Sequence, residues 1–227
     1  MHYVKTGDEW QDEELGADFK AVRNELLVLF GHFELLDTLY AKDSSIVDEL
    51  NAAAPTFFSQ FQGILWDWLF LSVARLFDSR GRPGRERLTL ERVLDEFVGG
   101  PGCSDVEKAT QLFREANQAA DKLVSIRNAR IAHLDRTHAM KPAAKPLPKV
   151  TLGEFRAVLQ AIIVFMNHIQ GEIKDSQVAY DWGGINRAPS EILAMARKSV
   201  KLRGLESQVR KKELSSDDLF EAVRRRP

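Results

Sequence analysis

The stretch Leu123-Val124-Ser125-Ile126-Arg127-Asn128-Ala129-Arg130-Ile131-Ala132-His133-Leu134-Asp135 decides how this chain is read. It closes a long segment in which apolar residues recur at helical spacing, and its charged residues fall where the apolar stripe should continue. One seam, Ala120, Val124, Ile131 and Leu134, keeps the three/four spacing with Arg127 at the missing step. A neighbouring seam, Ala116, Ala119, Leu123 and Ile126, runs into Arg130 and then His133. An unpaired charge on a packed helix face costs several kcal/mol, roughly, so such groups need partners or water.

Working outward, helical periodicity dominates and no alternating run reads as a strand. Ser104 with Glu107 reads as a capping box opening the motif helix, which runs to about Asp135. Upstream, a first helix is expected over Glu13–Tyr40 and a short one after Ser45, with Asp48 three residues on. Pro55 opens a helix to Phe77 that is apolar nearly all round (Phe57, Phe58, Phe61, Leu65, Trp66, Trp68, Leu69, Phe70) and so belongs in the middle of a bundle. Ser79–Arg87 reads as an Arg- and Gly-rich loop, and Thr89–Val98 as a short helix ended by Gly99-Gly100-Pro101-Gly102. Downstream, Arg136–Val150 holds three prolines and reads as an extended loop. Thr151 with Glu154 caps a helix to about Ile173, Asp181–Ala188 is a turn, and Pro189-Ser190 starts a last helix to about Arg203. The expectation is an all-α bundle over residues 10–175, followed by a C-terminal helical extension and basic tail over 176–227.

The chain has 227 residues, 44% hydrophobic and 29% charged, within the normal range for a globular domain. Its single cysteine, Cys103, permits no intrachain disulfide, and the polar N-terminus carries no apolar leader, so a cytoplasmic location is expected. The apolar run Ile64–Phe77 is interrupted by Asp67 and Arg75 and is too short to span a bilayer. The net charge of −1 hides an asymmetry: residues 1–50 carry twelve acids and four bases, residues 197–227 ten bases and five acids. The basic tail could meet RNA, an acidic partner or the acidic half of another copy.

A long helix in an all-α chain, ending in an Arg followed at short interval by a His, resembles the signature of the HEPN superfamily. Here the elements are Arg127, then Asn128, then His133. The wording RNARIAHLD, with Arg75-Leu76-Phe77-Asp78 closing the preceding apolar helix, looks like the abortive-infection AbiU-type branch. The resemblance implies a HEPN-like bundle and an RNA endonuclease of toxin or antiphage type that uses no metal or other cofactor. It also implies two copies of the chain facing one cleft, RNA (tRNA among the targets) as substrate, and an antitoxin partner for a toxin. Other members have lost catalysis and serve as modules that bind RNA, a nucleotide or a protein, which is the alternative reading.

The chemistry fits the residue types. Cleaving RNA without a metal needs a base for the 2′-hydroxyl proton, an acid for the leaving oxygen, and positive charge beside the phosphorane. His133 is the candidate acid/base, because imidazole exchanges protons near neutral pH. Arg127 is the candidate phosphate clamp, Arg130 extends the phosphate site, and Asn128 orients His133 or binds a sugar hydroxyl. At 3.6 residues per turn, Arg127 and His133 lie roughly 120° apart and about 9 Å along the axis, so a two-fold dimer would present them together better than one helix does. The competing structural readings are an ion pair from Arg127 to Asp67 or Asp78, and a His133 that satisfies helix-end carbonyls. His133, Asp135 and His138 fit no standard zinc spacing, and no metal is expected.

Overall fold

Seven helices account for nearly all regular structure among the described residues, and the reasons are local. The structure is a computed structural model that describes residues 16–100, 104–132, 149–174, 187–211, 215, 217 and 218, with the backbone alone at 130–132. The elements are α1 (Ala17–Tyr40), α2 (Ser44–Ala53), α3 (Pro55–Leu76), a hairpin of β1 (Gly81–Arg82) and β2 (Arg85–Glu86), α4 (Leu90–Gly99), α5 (Val106–Ile126), a π-wound segment (Arg127–Ala132), α6 (Leu152–Lys174) and α7 (Ala188–Arg210). The all-α class is as expected.

The described residues within 1–33 and 66–182 form one compact unit, and those within 34–65 and 183–227 a second. In the first, α5 packs along α6. The α5 stripe Ala109, Leu112, Ala116, Ala120, Leu123 and Ile126 is buried, and α6 buries Phe155, Val158, Leu159, Ile162, Phe165, Met166 and Ile169. Phe155 is the hub: it stacks on Phe33 at 5.4 Å between centroids and meets Trp66 and Phe70 edge-on. Burying each such side chain is worth about 1.5–3 kcal/mol. By composition α6 is also long and apolar enough to cross a membrane, with a mean hydropathy of 1.2, but its apolar face is the one packed in this core.

Helix α1 begins where Glu96 of α4 accepts the N–H groups of Asp18 and Phe19, both at 3.1 Å. Asp18 in turn accepts from Arg92 at 2.8 Å. A Cβ at Gly16 would come within 1.8 Å of the Glu96 carboxyl, so a larger residue there would push the carboxylate from its present place at the helix end.

In the second unit, α2 packs on α7. Arg197 forks onto Glu49 at 2.8 and 3.1 Å. Arg203 donates to the carbonyls of Ala52 and Ala53, which end α2 without helical partners. Tyr40 donates its hydroxyl to the Phe58 carbonyl at 2.9 Å, and burial pushes its pKa up to about 12. Between α3 and α7 lies an apolar groove of about 280 Å³, lined by Phe57, Phe61, Ile192 and Met195 among others.

Several sequence-level expectations need correction. The cap of α2 is Asp43, which accepts from Ser45 N–H at 2.8 Å, and the cap of α5 is Asp105, which accepts from Lys108 N–H at 2.9 Å. In both cases the acid one or two residues away from the expected cap takes the free amide. Ser104 instead donates its hydroxyl to Glu172 of α6. Helix α7 continues through Gly204 to Arg210 instead of stopping at Arg203, because an interior glycine weakens a helix by only about 1 kcal/mol and does not end it. Helix α3 is not enclosed throughout: Phe57 and Ile64 are more than half exposed.

The Thr151–Glu154 capping box is present. Thr151 N–H donates to Glu154 at 2.8 Å, Glu154 N–H donates to the Thr151 hydroxyl at 3.1 Å, and Lys122 of α5 reaches the same carboxylate at 2.6 Å. The Lys122 ammonium first, and then the Thr151 donors, hold the Glu154 pKa down from 4.5 to about 2. A depressed carboxylate pKa adds stability that is present above the unfolded value and is lost as pH falls through the folded one. The melting temperature of the protein should therefore fall more steeply between pH 4.5 and about 2 than that of Glu154→Gln; parallel curves would show that Glu154 carries no such linkage.

Candidate functional site

The buried stripe of α5 delivers Arg127 to the core edge. Arg127 follows Leu123 by four residues, and its side chain is only 12% exposed. Its backbone N–H keeps the helical pattern, donating to the Leu123 and Val124 carbonyls. From Arg127 to Ala132 the backbone is wound as a π-helix, whose bonds run i→i+5. The motif therefore does not sit on an ordinary α-helix, and the 120° separation read from 3.6 residues per turn does not apply across it.

The acid that meets Arg127 is Asp78, in the elbow after α3. Arg127 Nη2 donates to Asp78 Oδ1, while Arg87 Nη1 lies 3.7 Å from Asp78 Oδ2. One carboxylate thus joins two guanidinium groups. Of the two acids proposed from sequence as partners for Arg127, the structure selects Asp78. The pair does not saturate the guanidinium, which has five N–H donors: Nε is buried and, among the described residues, has no hydrogen-bond partner.

Asn128 is exposed. Arg130 contributes its backbone to the π segment, and its side chain lies outside the described residues, as does all of His133. Asp135, His138, Cys103, Trp10 and Trp182 also lie outside them. Among the described residues no three His, Cys, Asp or Glu side chains cluster as metal ligands. His168 and Glu172, which share a face of α6, are engaged locally: the His168 ring nitrogen lies 3.4 Å from the Asp105 carbonyl, and Glu172 accepts from Ser104. In the same unit Glu25, Leu29, Ser72, Arg75, Leu76 and Leu88 line a cavity of about 50 Å³, enough for ordered water and far below a nucleotide pocket.

Two features escaped the sequence reading. The π winding has no compositional signature, although the run of both apolar seams into charged residues marks the place where it occurs. The hairpin had one: Pro83-Gly84 between Arg82 and Arg85 is turn chemistry. Gly84 at φ +77° and Pro83 before it match a type II turn.

The HEPN family model described as AbiU2 matches residues 12–201. No curated protein and no solved structure matches the chain.

The Asp78–Arg127 contact predicts an energetic coupling. Asp78→Ala should lower the unfolding free energy by about 1–3 kcal/mol, as expected for a charged hydrogen bond whose partner is left part-buried. Asp78→Asn, which keeps an acceptor, should lower it less. A urea-denaturation cycle with Arg127→Ala should return a coupling of about 1–2 kcal/mol, and additive effects would show that the two do not interact.

Proposed function

The chain belongs to the AbiU2 family of the HEPN superfamily, and from that premise we propose that it is a metal-independent RNA endonuclease of the toxin or antiphage type. The observation that carries this reading is the state of Arg127. It lies at a core edge, oriented by Asp78 through one nitrogen, and among the described residues its Nε has no hydrogen-bond partner. A guanidinium fixed in direction and short of partners suits a phosphodiester. The π winding of the same residues agrees with a functional position, since such turns recur at sites of chemistry.

In the proposed reaction the 2′-hydroxyl of one nucleotide attacks the adjacent phosphorus. His133 takes the hydroxyl proton, and an imidazolium returns a proton to the departing 5′-oxygen. The P–O5′ bond breaks as the O2′–P bond forms, giving a 2′,3′-cyclic phosphate and a 5′-hydroxyl. Arg127 balances the charge gathering on the phosphorane, Arg130 extends the phosphate contact, and Asn128 orients His133 or a sugar hydroxyl. Two copies related by a two-fold axis would bring His133 of one near Arg127 of the other. RNA, tRNA included, is the proposed substrate, and an antitoxin the proposed regulator.

A second reading is a non-catalytic module that binds RNA, a nucleotide or a protein. The observation in its favour is the same ion pair, because Asp78 cancels part of the charge that catalysis would use.

One experiment separates the two. Purified protein incubated with total tRNA in EDTA should cut it, leaving 2′,3′-cyclic phosphate ends. Cleavage should slow at least about a hundredfold in His133→Ala and in Arg127→Ala. RNA retained without cutting supports an RNA-binding module, and neither binding nor cutting removes the ribonuclease and the RNA-binding module, leaving a module for a nucleotide or a protein. Expression of the intact chain should slow bacterial growth more than the His133→Ala form; equal growth counts against a toxin.

A further inference from the structure

Four arginines stand in the segment between α3 and α4, and they divide by environment. Arg80 and Arg87 sit at the base of the hairpin, where Arg87 N–H bonds the Arg80 carbonyl at 2.9 Å. Arg80 is tied to Glu91 at 2.9 Å and Asp95 at 2.6 Å on α4, and Arg87 leans on Asp78. These two fasten the hairpin to the domain. Arg82 and Arg85 are different: both are exposed, they face each other directly in the ladder register, and among the described residues no carboxylate pairs with either.

That arrangement disfavours the isolated fold. Like charges opposed across a ladder repel, and a ladder of two residues per strand has little to set against them. The nearby acid does not relieve the repulsion. Glu86 turns its Oε1 onto Gly84 N–H at 3.0 Å, and the backbone amides of Glu86 and Gly84 hold its carboxyl below the usual range. The conformation is nonetheless enforced. Gly81 at φ +86° and Gly84 at φ +77° build the hairpin, and a Cβ at Gly81 would meet the Arg85 carbonyl at 2.2 Å. Backbone geometry thus holds two unneutralised arginines opposite each other at a tip.

Position supplies the ligand. Asp78 binds Arg127 through one oxygen and Arg87 through the other, and Arg85 is two residues from Arg87 in sequence, within roughly 7 Å along the chain. The tip is therefore joined to the motif arginine through Arg87 and the shared Asp78 carboxylate.

We propose that Arg82 and Arg85 bind the RNA backbone, taking phosphates that flank the one held at Arg127. The proposal rests on the RNA-directed reading of the motif. It names the hairpin as the element that carries affinity, while the motif carries chemistry. Contacts to phosphate are blind to base identity, so the hairpin supplies binding without sequence preference. An acidic protein surface is the other ligand such a tip could take. The continuity with Arg127 through Asp78 favours RNA.

The test uses fluorescence anisotropy with a short, mixed-sequence single-stranded RNA, in the full chain carrying His133→Ala so that cutting does not interfere. Salt is varied between about 50 and 200 mM NaCl, and polyglutamate serves as the competing probe. Arg82→Ala/Arg85→Ala should weaken RNA binding at least about tenfold and flatten the slope of log Kd against log salt by about 1.4, that is, about 0.7 for each phosphate no longer neutralised. Arg82→Lys/Arg85→Lys should restore most of the slope. The alanine pair should melt at or above the temperature of the parent, since opposed charges are removed. Unchanged affinity and slope overturn the hairpin assignment, and if the unmutated chain still cuts tRNA, the ribonuclease reading survives that failure. A parent that binds no RNA, hairpin-dependent binding of polyglutamate alone, or a marked drop in melting temperature each overturns it as well.

Discussion

The contact between Asp78 and Arg127 governs the site. Without it, α5 would end by carrying a guanidinium into an interior edge where only 12% of its side chain meets solvent, at a desolvation cost of several kcal/mol, roughly. The carboxylate that offsets this cost sits in the elbow where α3 ends. That elbow also starts the hairpin, so one ion pair fixes the end of the motif helix, the turn after the aromatic helix and the base of an arginine-bearing loop. The net stabilisation from such a pair is modest, because desolvation takes back most of the Coulomb gain. What it confers is direction: the guanidinium is aimed.

Most of the fold was legible because its determinants are local. Periodicity placed α1, α3, α4, α5 and α6, and their packing follows from stripes visible in the sequence: the α5 alanines and leucines against the aromatic and branched face of α6. The Thr151–Glu154 box was readable because both of its halves lie within one turn. The caps of α2 and α5 were misplaced by one or two residues for a definite reason. Adjacent Asp and Ser residues compete for the same amides, and the winner depends on tertiary neighbours. Ser104 is drawn to Glu172, a partner 68 residues away, and leaves the cap to Asp105. Helix α7 runs seven residues past the expected end at Arg203, whose guanidinium holds the last carbonyls of α2.

The site was legible in its composition and less so in its geometry. Arg127 was identified as a charge on a core-facing step, and its partner was narrowed to two acids. A sequence cannot choose between acids on another helix, because the choice depends on where that helix stops: α3 ends at Leu76, which swings Asp78 into the elbow. The π winding was hidden for a related reason. It leaves no mark in composition, although it begins at Arg127, directly after the buried Ile126.

The neutralised arginine and the proposed phosphate chemistry are compatible when charges and donors are counted together. Asp78 removes one positive charge, but it is shared between Arg127 and Arg87, so the trio keeps a net charge of one. The phosphodiester is a monoanion, and that residual charge matches it. Asp78 engages Arg127 at the terminal nitrogen Nη2, and among the described residues Nε has no hydrogen-bond partner. A phosphate can meet only the small solvent-facing part of this side chain, 12% of it, while the carboxylate keeps the fork from rotating as charge builds on the phosphorane. A fully solvated arginine would hold more charge but no fixed direction, and one enclosed by two acids would hold neither charge nor a vacant edge. The single shared carboxylate lies between those limits.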